Sequence, residues 1–203
     1  GFNTVAVPSK LNTTISHTDD VNPEQIRNII SDLLSSTGFN EAMNNSLTKG
    51  KYTALIPELD VNQNVEILNP LSQDLNVMRQ SLLFSGLENI AYNQNRKNAD
   101  IKFYEFGETY HKTEEGNVEN QHLQILVSGR MQTENWDTNA DKADFYFIKE
   151  KVEHILNRLG INRFKSSEGS GWGRSYSLTY SYKKKRLVCF GKVTKDLCSK
   201  FGV

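Results

Sequence analysis

An α+β fold is predicted, with an antiparallel sheet and helices packed against it, and three observations predict it. The element order reads helix, short strands, helix, long strands, helix, strands, which is not the strict alternation of a parallel doubly wound sheet. Two alternating runs, residues 101–111 and 123–130, flank a polar stretch as the arms of a hairpin do. Each helical segment carries one apolar stripe at helical spacing.

Residues 1–20 are rich in Thr, Asn and Ser and read as a lead-in from a preceding domain, with residues 21–203 as the core domain. Asn22 is a suitable N-cap, Pro23 suits the first helical position, and Gln25 follows three residues after the cap. Ile26, Ile29, Ile30, Leu33 and Leu34 then form the stripe, and Gly38 supplies a left-handed closing residue. That stripe has two readings: the domain's own core, or the surface of a partner.

Residues 39–47 are predicted as a strand, residues 49–60 are ambiguous, and residues 65–68 form a short strand stopped by Asn69-Pro70. Residues 81–96 make a second helix, with Leu82, Leu83, Leu87, Ile90 and Ala91 on one side. Gly86 lies inside it, at an intrinsic cost of ~1 kcal/mol. The two long strands follow, joined by a polar turn over residues 113–120. Residues 144–159 form a third helix carrying Phe147, Ile148, Val152, Ile155, Leu156 and Leu159, ended by Gly160. A glycine-rich turn (Gly169, Gly171, Gly173), a hairpin over residues 175–193 and a short helix from Lys195 complete the chain. The chain stops directly after an element, so it is expected to be part of something longer.

At 203 residues the chain fits one domain. A core can form without staples, because a chain this long buries roughly 70% of its extended surface. With 37% hydrophobic and 10% aromatic residues it is polar but not disordered. No apolar run approaches the ~20 residues of a membrane span. The first ten residues lack a signal peptide's basic and apolar regions. Cys189 and Cys198 have no metal-like spacing, which suits a reducing, cytoplasmic compartment.

Zero net charge conceals an asymmetry. Residues 161–203 hold ten Lys/Arg against Glu168 and Asp196, a surplus balanced by an acidic remainder. Lys183, Lys184, Lys185 and Arg186 concentrate it. They point to an anionic partner such as RNA, or they are simply a solvated hairpin tip.

No catalytic constellation stands out. The stretch Gly169-Ser170-Gly171-Trp172-Gly173-Arg174-Ser175 has glycines but lacks the Gly-Lys-Ser/Thr ending of a phosphate-binding loop, so a tight turn is expected. The four histidines are dispersed, and Glu150 and His154, at i,i+4, are a surface pair rather than a metal site. The paired carboxylates Asp19-Asp20 and Glu114-Glu115 fall in polar loops.

A set of collinear motifs is more specific. Asn69-Pro70-Leu71-Ser72, Met78-Arg79-Gln80-Ser81-Leu82-Leu83, Gly86-Leu87, residues 93–96 and Tyr104-Glu105-Phe106-Gly107 occur in the order found in the bacterial phenylalanine–tRNA ligase β subunit. The chain resembles that family's catalytic-like core domain. Gly38-Phe39-Asn40-Glu41, Asp144-Phe145, and Gly173-Arg174-Ser175 with the later Gly191 agree with the same pattern. Trp172 stands where the family commonly has proline, and Thr194-Lys195 where it has His-Pro.

The resemblance implies a class II synthetase-like sheet without the active site. Class II ligases hold ATP phosphates with an arginine, because developing charge must be neutralised in place. Here the expected Arg-x-Glu is replaced by His111-Lys112-Thr113, and the glycine run ending in Glu-Arg has no match. Lys112 lacks arginine's planar fork. No cofactor is therefore expected in this fragment; ATP and Mg²⁺ would be used by the whole complex. The family implies pairing with a catalytic α subunit in an (αβ)₂ assembly through the first helix, with Ile26, Ile30 and Leu33 as candidate interface residues. It also implies that the basic hairpin lies near tRNA(Phe). The alternatives are a freestanding amino-acid-activating enzyme and a generic RNA- or protein-binding α+β module.

Overall fold

The first helix, α1 (Pro23–Ser36), starts and stops where its caps dictate. Asn22 Oδ1 accepts from the Glu24 N–H at 3.0 Å. At the far end the Gly38 and Phe39 N–H groups donate to the Ser35 and Leu34 carbonyls, and Gly38 takes φ 86 to make this closure. The structure is a computed structural model describing residues 21–70, 72–132, 136 and 141–203; the predicted lead-in lies outside them.

The first sheet is built on a long antiparallel hairpin of β4 (Ile101–Thr113) and β5 (Gly116–Ser128), with β1 (Asn40–Glu41) parallel to β4. Pairing runs unbroken from Ile101 opposite Ser128 to Thr113 opposite Gly116. The two-residue turn at Glu114-Glu115 is thus shorter than the predicted polar turn over residues 113–120. Residues 116–122 are exposed, and ladder hydrogen bonds hold them with no apolar alternation to announce a strand.

The predicted strand over residues 39–47 is corrected too. It comprises only β1 and β2 (Leu47–Thr48), the latter paired with β3 (Val77–Met78). The predicted strand at residues 65–68 is reduced to a single bridge between Glu66 and Val77. The ambiguous stretch holds one 3₁₀ turn, Gly50–Leu55, and two more follow at Val61–Gln63 and Gln73–Leu75.

The hairpin's two faces serve different layers. On one, Tyr104, Phe106, Leu123, Ile125 and Val127 pack with Ile30, Leu34 and Phe39 of α1 and its cap, and with Ile155 of α3 (Phe145–Arg158). On the other sits α2 (Leu83–Gln94). Gly86 of α2 lets that helix lie directly on Leu126, whose Cδ1 occupies the space a Cβ would take. The intrinsic cost of glycine in a helix is met by this close approach.

A second antiparallel sheet follows the order β6 (Lys165–Gly171), β7 (Arg174–Tyr182), β8 (Lys185–Val193). The glycine-rich segment predicted as a turn is therefore mostly strand, and only Trp172-Gly173 turns. The Val152 and Leu156 faces of α3 pack on Leu178, Tyr180 and Phe190. The closing helix α4 (Lys195–Phe201) buries Leu197 against Ile56, Leu83, Phe84 and Leu87. Among the described residues, no helix is long and apolar enough to cross a membrane.

Candidate functional site

The α2 face of the hairpin carries a polar network inside an otherwise apolar layer. Odd-numbered positions of β4 point there, so Glu105, Gly107 and Thr109 line up along it. Arg79, just past β3, enters from the side. Its Nη1 lies 2.6 Å from Glu105 Oε1, and each residue is 3% exposed. Arg79 Nε also donates to the Glu108 carbonyl at 2.9 Å and Nη1 to the Asn45 carbonyl at 3.5 Å.

Glu105 is equally committed. Its Oε2 accepts from Asn44 Nδ2 at 2.7 Å, and Asn89 of α2 donates to Asn44 Oδ1 at 2.9 Å. The backbone reinforces the arrangement: the Tyr110 N–H donates to the Arg79 carbonyl and the Arg79 N–H to the Ser46 carbonyl. Gly107 is small for a reason visible here. A Cβ at that position would coincide with Arg79 Nη2 and meet Leu82 Cδ2 at 2.5 Å.

Above this network lies a small cleft of about 10 Å³, lined by Asn44, Asn89, Glu105, Gln124 and Leu126 among others. Small-molecule sites generally need ~300–1,000 Å³. The one buried guanidinium beside it spends Nη1 on Glu105 and the Asn45 carbonyl and Nε on the Glu108 carbonyl, so it is turned into the network.

Towards the hairpin tip, His111-Lys112-Thr113 occupy the end of β4. Among the described residues His111 Nδ1 is buried with no hydrogen-bond partner, and burial pushes its pKa below the ordinary histidine value. Thr109 Oγ1 and His122 Nε2 share a hydrogen bond of 3.0 Å. His122 is exposed as a whole residue, but partial desolvation of its ring lowers its pKa, helped by the charges of His111 and Arg186. Thr113 spends its hydroxyl on the Gly116 carbonyl within the turn.

The motif residues thus divide. Arg79, Glu105 and Gly107 form one cluster. Gly173, Arg174 and Gly191 belong to the second sheet, where a Cβ on Gly191 would strike the Tyr176 backbone. Asn69 and Pro70 are exposed loop residues outside both. Sequence reasoning missed Asn44, Asn89, Thr109 and His122 as network members; no local pattern marks residues joined across 13 to 61 positions.

The α1 stripe is shared. Ile30 is buried against Leu34, Phe39 and Tyr104, while Ile26 and Leu33 are half-buried at that cluster's edge. Ile29, Asp32, Leu33, Ser36 and Arg158 border an open hollow beside α3. Lys183, Lys184, Lys185 and Arg186 are all exposed at the β7–β8 turn. Glu150 and His154 are a surface pair at 3.9 Å. Among the described residues, no group of three or more His, Cys, Asp or Glu side chains is placed to hold a metal ion.

Residues 7–203 match the family model described as the phenylalanyl tRNA synthetase beta chain CLM domain. The chain belongs to this family.

Its relatives agree. A phenylalanine–tRNA ligase beta subunit of Bacteroides fragilis is 40% identical over all of this chain, and one of Porphyromonas gingivalis 30% identical. The chain spans 26% of the length of each. Among solved structures, a pyrrolysyl-tRNA synthetase from Desulfitobacterium hafniense superposes with a TM-score of 0.68 at 14% identity, covering 89% of this chain and 62% of that one. An ATP phosphoribosyltransferase regulatory subunit/histidyl-tRNA synthetase from Bacillus halodurans gives 0.56 at 12% identity, covering 81% and 42%. This CLM domain therefore has the class II synthetase-like α+β fold predicted for it.

Proposed function

We propose that this CLM domain is a non-catalytic body within a phenylalanine–tRNA ligase: it pairs with the catalytic α subunit in an (αβ)₂ assembly, lies near tRNA(Phe), and supports ATP-dependent attachment of phenylalanine without binding ATP itself. The assembly works in the cytoplasm. The observation that carries this reading is the use made of Arg79. In a working ligase site a guanidinium must face the phosphates; here the buried one is turned onto Glu105, and the strand end offers His111 and Lys112 instead.

Pairing has a physical basis in α1. Ile29 and Leu33 stand beside an open hollow with Arg158, so an apolar partner element would complete the layer. The test is co-elution of the α subunit with the full-length β subunit. Ile29→Glu places a carboxylate in that contact; it is expected to weaken co-elution at least tenfold while thermal unfolding of the β subunit stays unchanged, since Ile29 is outside the buried core. Undiminished co-elution would remove α1 from the interface.

A further inference from the structure

Trp172 is held in a conformation that a bulky side chain rarely takes. Gly171 pairs with Arg174 across the β6–β7 hairpin, which leaves Trp172-Gly173 as a two-residue turn with φ 54 and 75. Both values are left-handed, the type I′ geometry that favours Asn-Gly. An indole there strains the backbone, and the ring is not tucked into the core in return, since Trp172 remains 40% exposed. A residue kept exposed at a strained turn points to a use outside the fold.

Two guanidinium groups converge on this residue. Arg186 lies over the ring at 5.5 Å from its centroid, and Arg174 Nη1 donates to the Trp172 carbonyl at 3.2 Å. Among the described residues neither arginine has a carboxylate at ion-pair distance. Burial pushes the Arg174 pKa down; Cys189 and Glu58 oppose this and Arg186 adds to it. An anion bound between the two arginines would relieve their mutual repulsion. Arg186 is next to the exposed Lys183, Lys184 and Lys185, in the stretch of residues 161–203 that holds ten basic residues against two acidic ones.

We infer that Trp172, Arg174 and Arg186 form a stacking platform for single-stranded RNA. One base stacks on the exposed indole, its flanking phosphates meet the two guanidinium groups, and the lysines of the β7–β8 turn carry the strand onward. Aromatic rings beside arginines read single strands in this way, through stacking that needs no particular base and charge that needs no particular geometry. An acidic peptide would use the charges but give the exposed ring no partner. The inference deepens the tRNA part of the reading above and rests on it for the class of nucleic acid.

The test uses full-length β subunit assembled with α, and a fluorescein-labelled adenine hexanucleotide of RNA as probe. Trp172→Gly suits the left-handed turn better than tryptophan does, so the unfolding temperature should hold or rise. Its affinity for the hexanucleotide should nonetheless fall by about 5- to 100-fold, whereas Trp172→Phe keeps most of it. Arg186→Gln should weaken binding and make the log-affinity against log-salt slope shallower by about 0.7. Equal affinity for Trp172→Gly and the unaltered protein would overturn the proposal, as would equal competition by hexaglutamate or by ATP at the same concentration. Co-elution of α is scored in the same samples. Its absence from unaltered protein would sink the pairing reading, while unchanged RNA affinity in Trp172→Gly sinks this inference alone.

Discussion

Arg79 and Glu105, 26 residues apart, form an ion pair of 2.6 Å under α2, with both side chains almost completely removed from water. Four elements meet there: the turn after β3, the centre of β4, and, through Asn44 and Asn89, the loop after β1 and helix α2. A pair this deep gains little over an apolar replacement but is costly to break, since each charge left alone keeps its desolvation penalty. Its place in this domain is to join layers.

Glu105→Gln is therefore expected to destabilise the domain by about 3–5 kcal/mol. The double substitution Arg79→Met with Glu105→Leu should lie well above that single variant in stability, because no unpaired charge remains. Urea unfolding of the three proteins measures both effects. A Glu105→Gln loss under 1 kcal/mol, on the order of a surface pair, would show that water reaches Arg79.

Gly107→Ala tests the packing beside the same pair. Its methyl group would collide with Arg79 Nη2 and Leu82 Cδ2, and overpacking of this kind costs about 1–3 kcal/mol. The same change at Gly160, where a Cβ meets nothing within 4 Å, costs only what its positive φ imposes. Thermal unfolding should thus show a loss for Gly107→Ala that shrinks when Arg79 is replaced by methionine, which removes the guanidinium clash and leaves only that with Leu82.

How much of this was readable beforehand depends on the range of the interaction. The caps of α1 were legible because Asn22, Pro23 and Gly38 act on groups two to five residues away. The third helix was legible for the same reason, with Asp144 Oδ1 accepting from the Phe147 N–H. The arm of β5 from Gly116 to Gln121 was not, since an exposed ladder needs no apolar alternation. The strand read across Ala42 to Ser46 also failed, because Asn44 turns its side chain and N–H to Glu105 instead of a neighbouring strand. Arg79, Glu105 and Gly107 could be picked out only as motif residues; their meeting depends on the register of β4 against a loop far away in the chain.

Acidification is expected to weaken the fold through His122 and His111. Desolvation lowers both pKa values in the folded state, only partially at the more exposed His122, and the His111 and Arg186 charges lower that of His122 further. The unfolded chain, titrating near ~6.5, then binds more protons than the folded one. Their contribution is fully present above that pH and is lost as the pH falls below it, towards the depressed folded values. The unfolding temperature should drop between about pH 7 and pH 5. His122→Gln, which can keep the Thr109 hydrogen bond, should flatten the drop, and an unchanged slope would remove His122 as its source.

Phenylalanine-dependent exchange between ATP and pyrophosphate bears most directly on the non-catalytic reading. The full-length β subunit purified without α should show no exchange above the no-enzyme blank, and adding α should produce it. Exchange by the β subunit alone, abolished by substituting Lys112 or His111, would contradict the account and restore a working site at the end of β4.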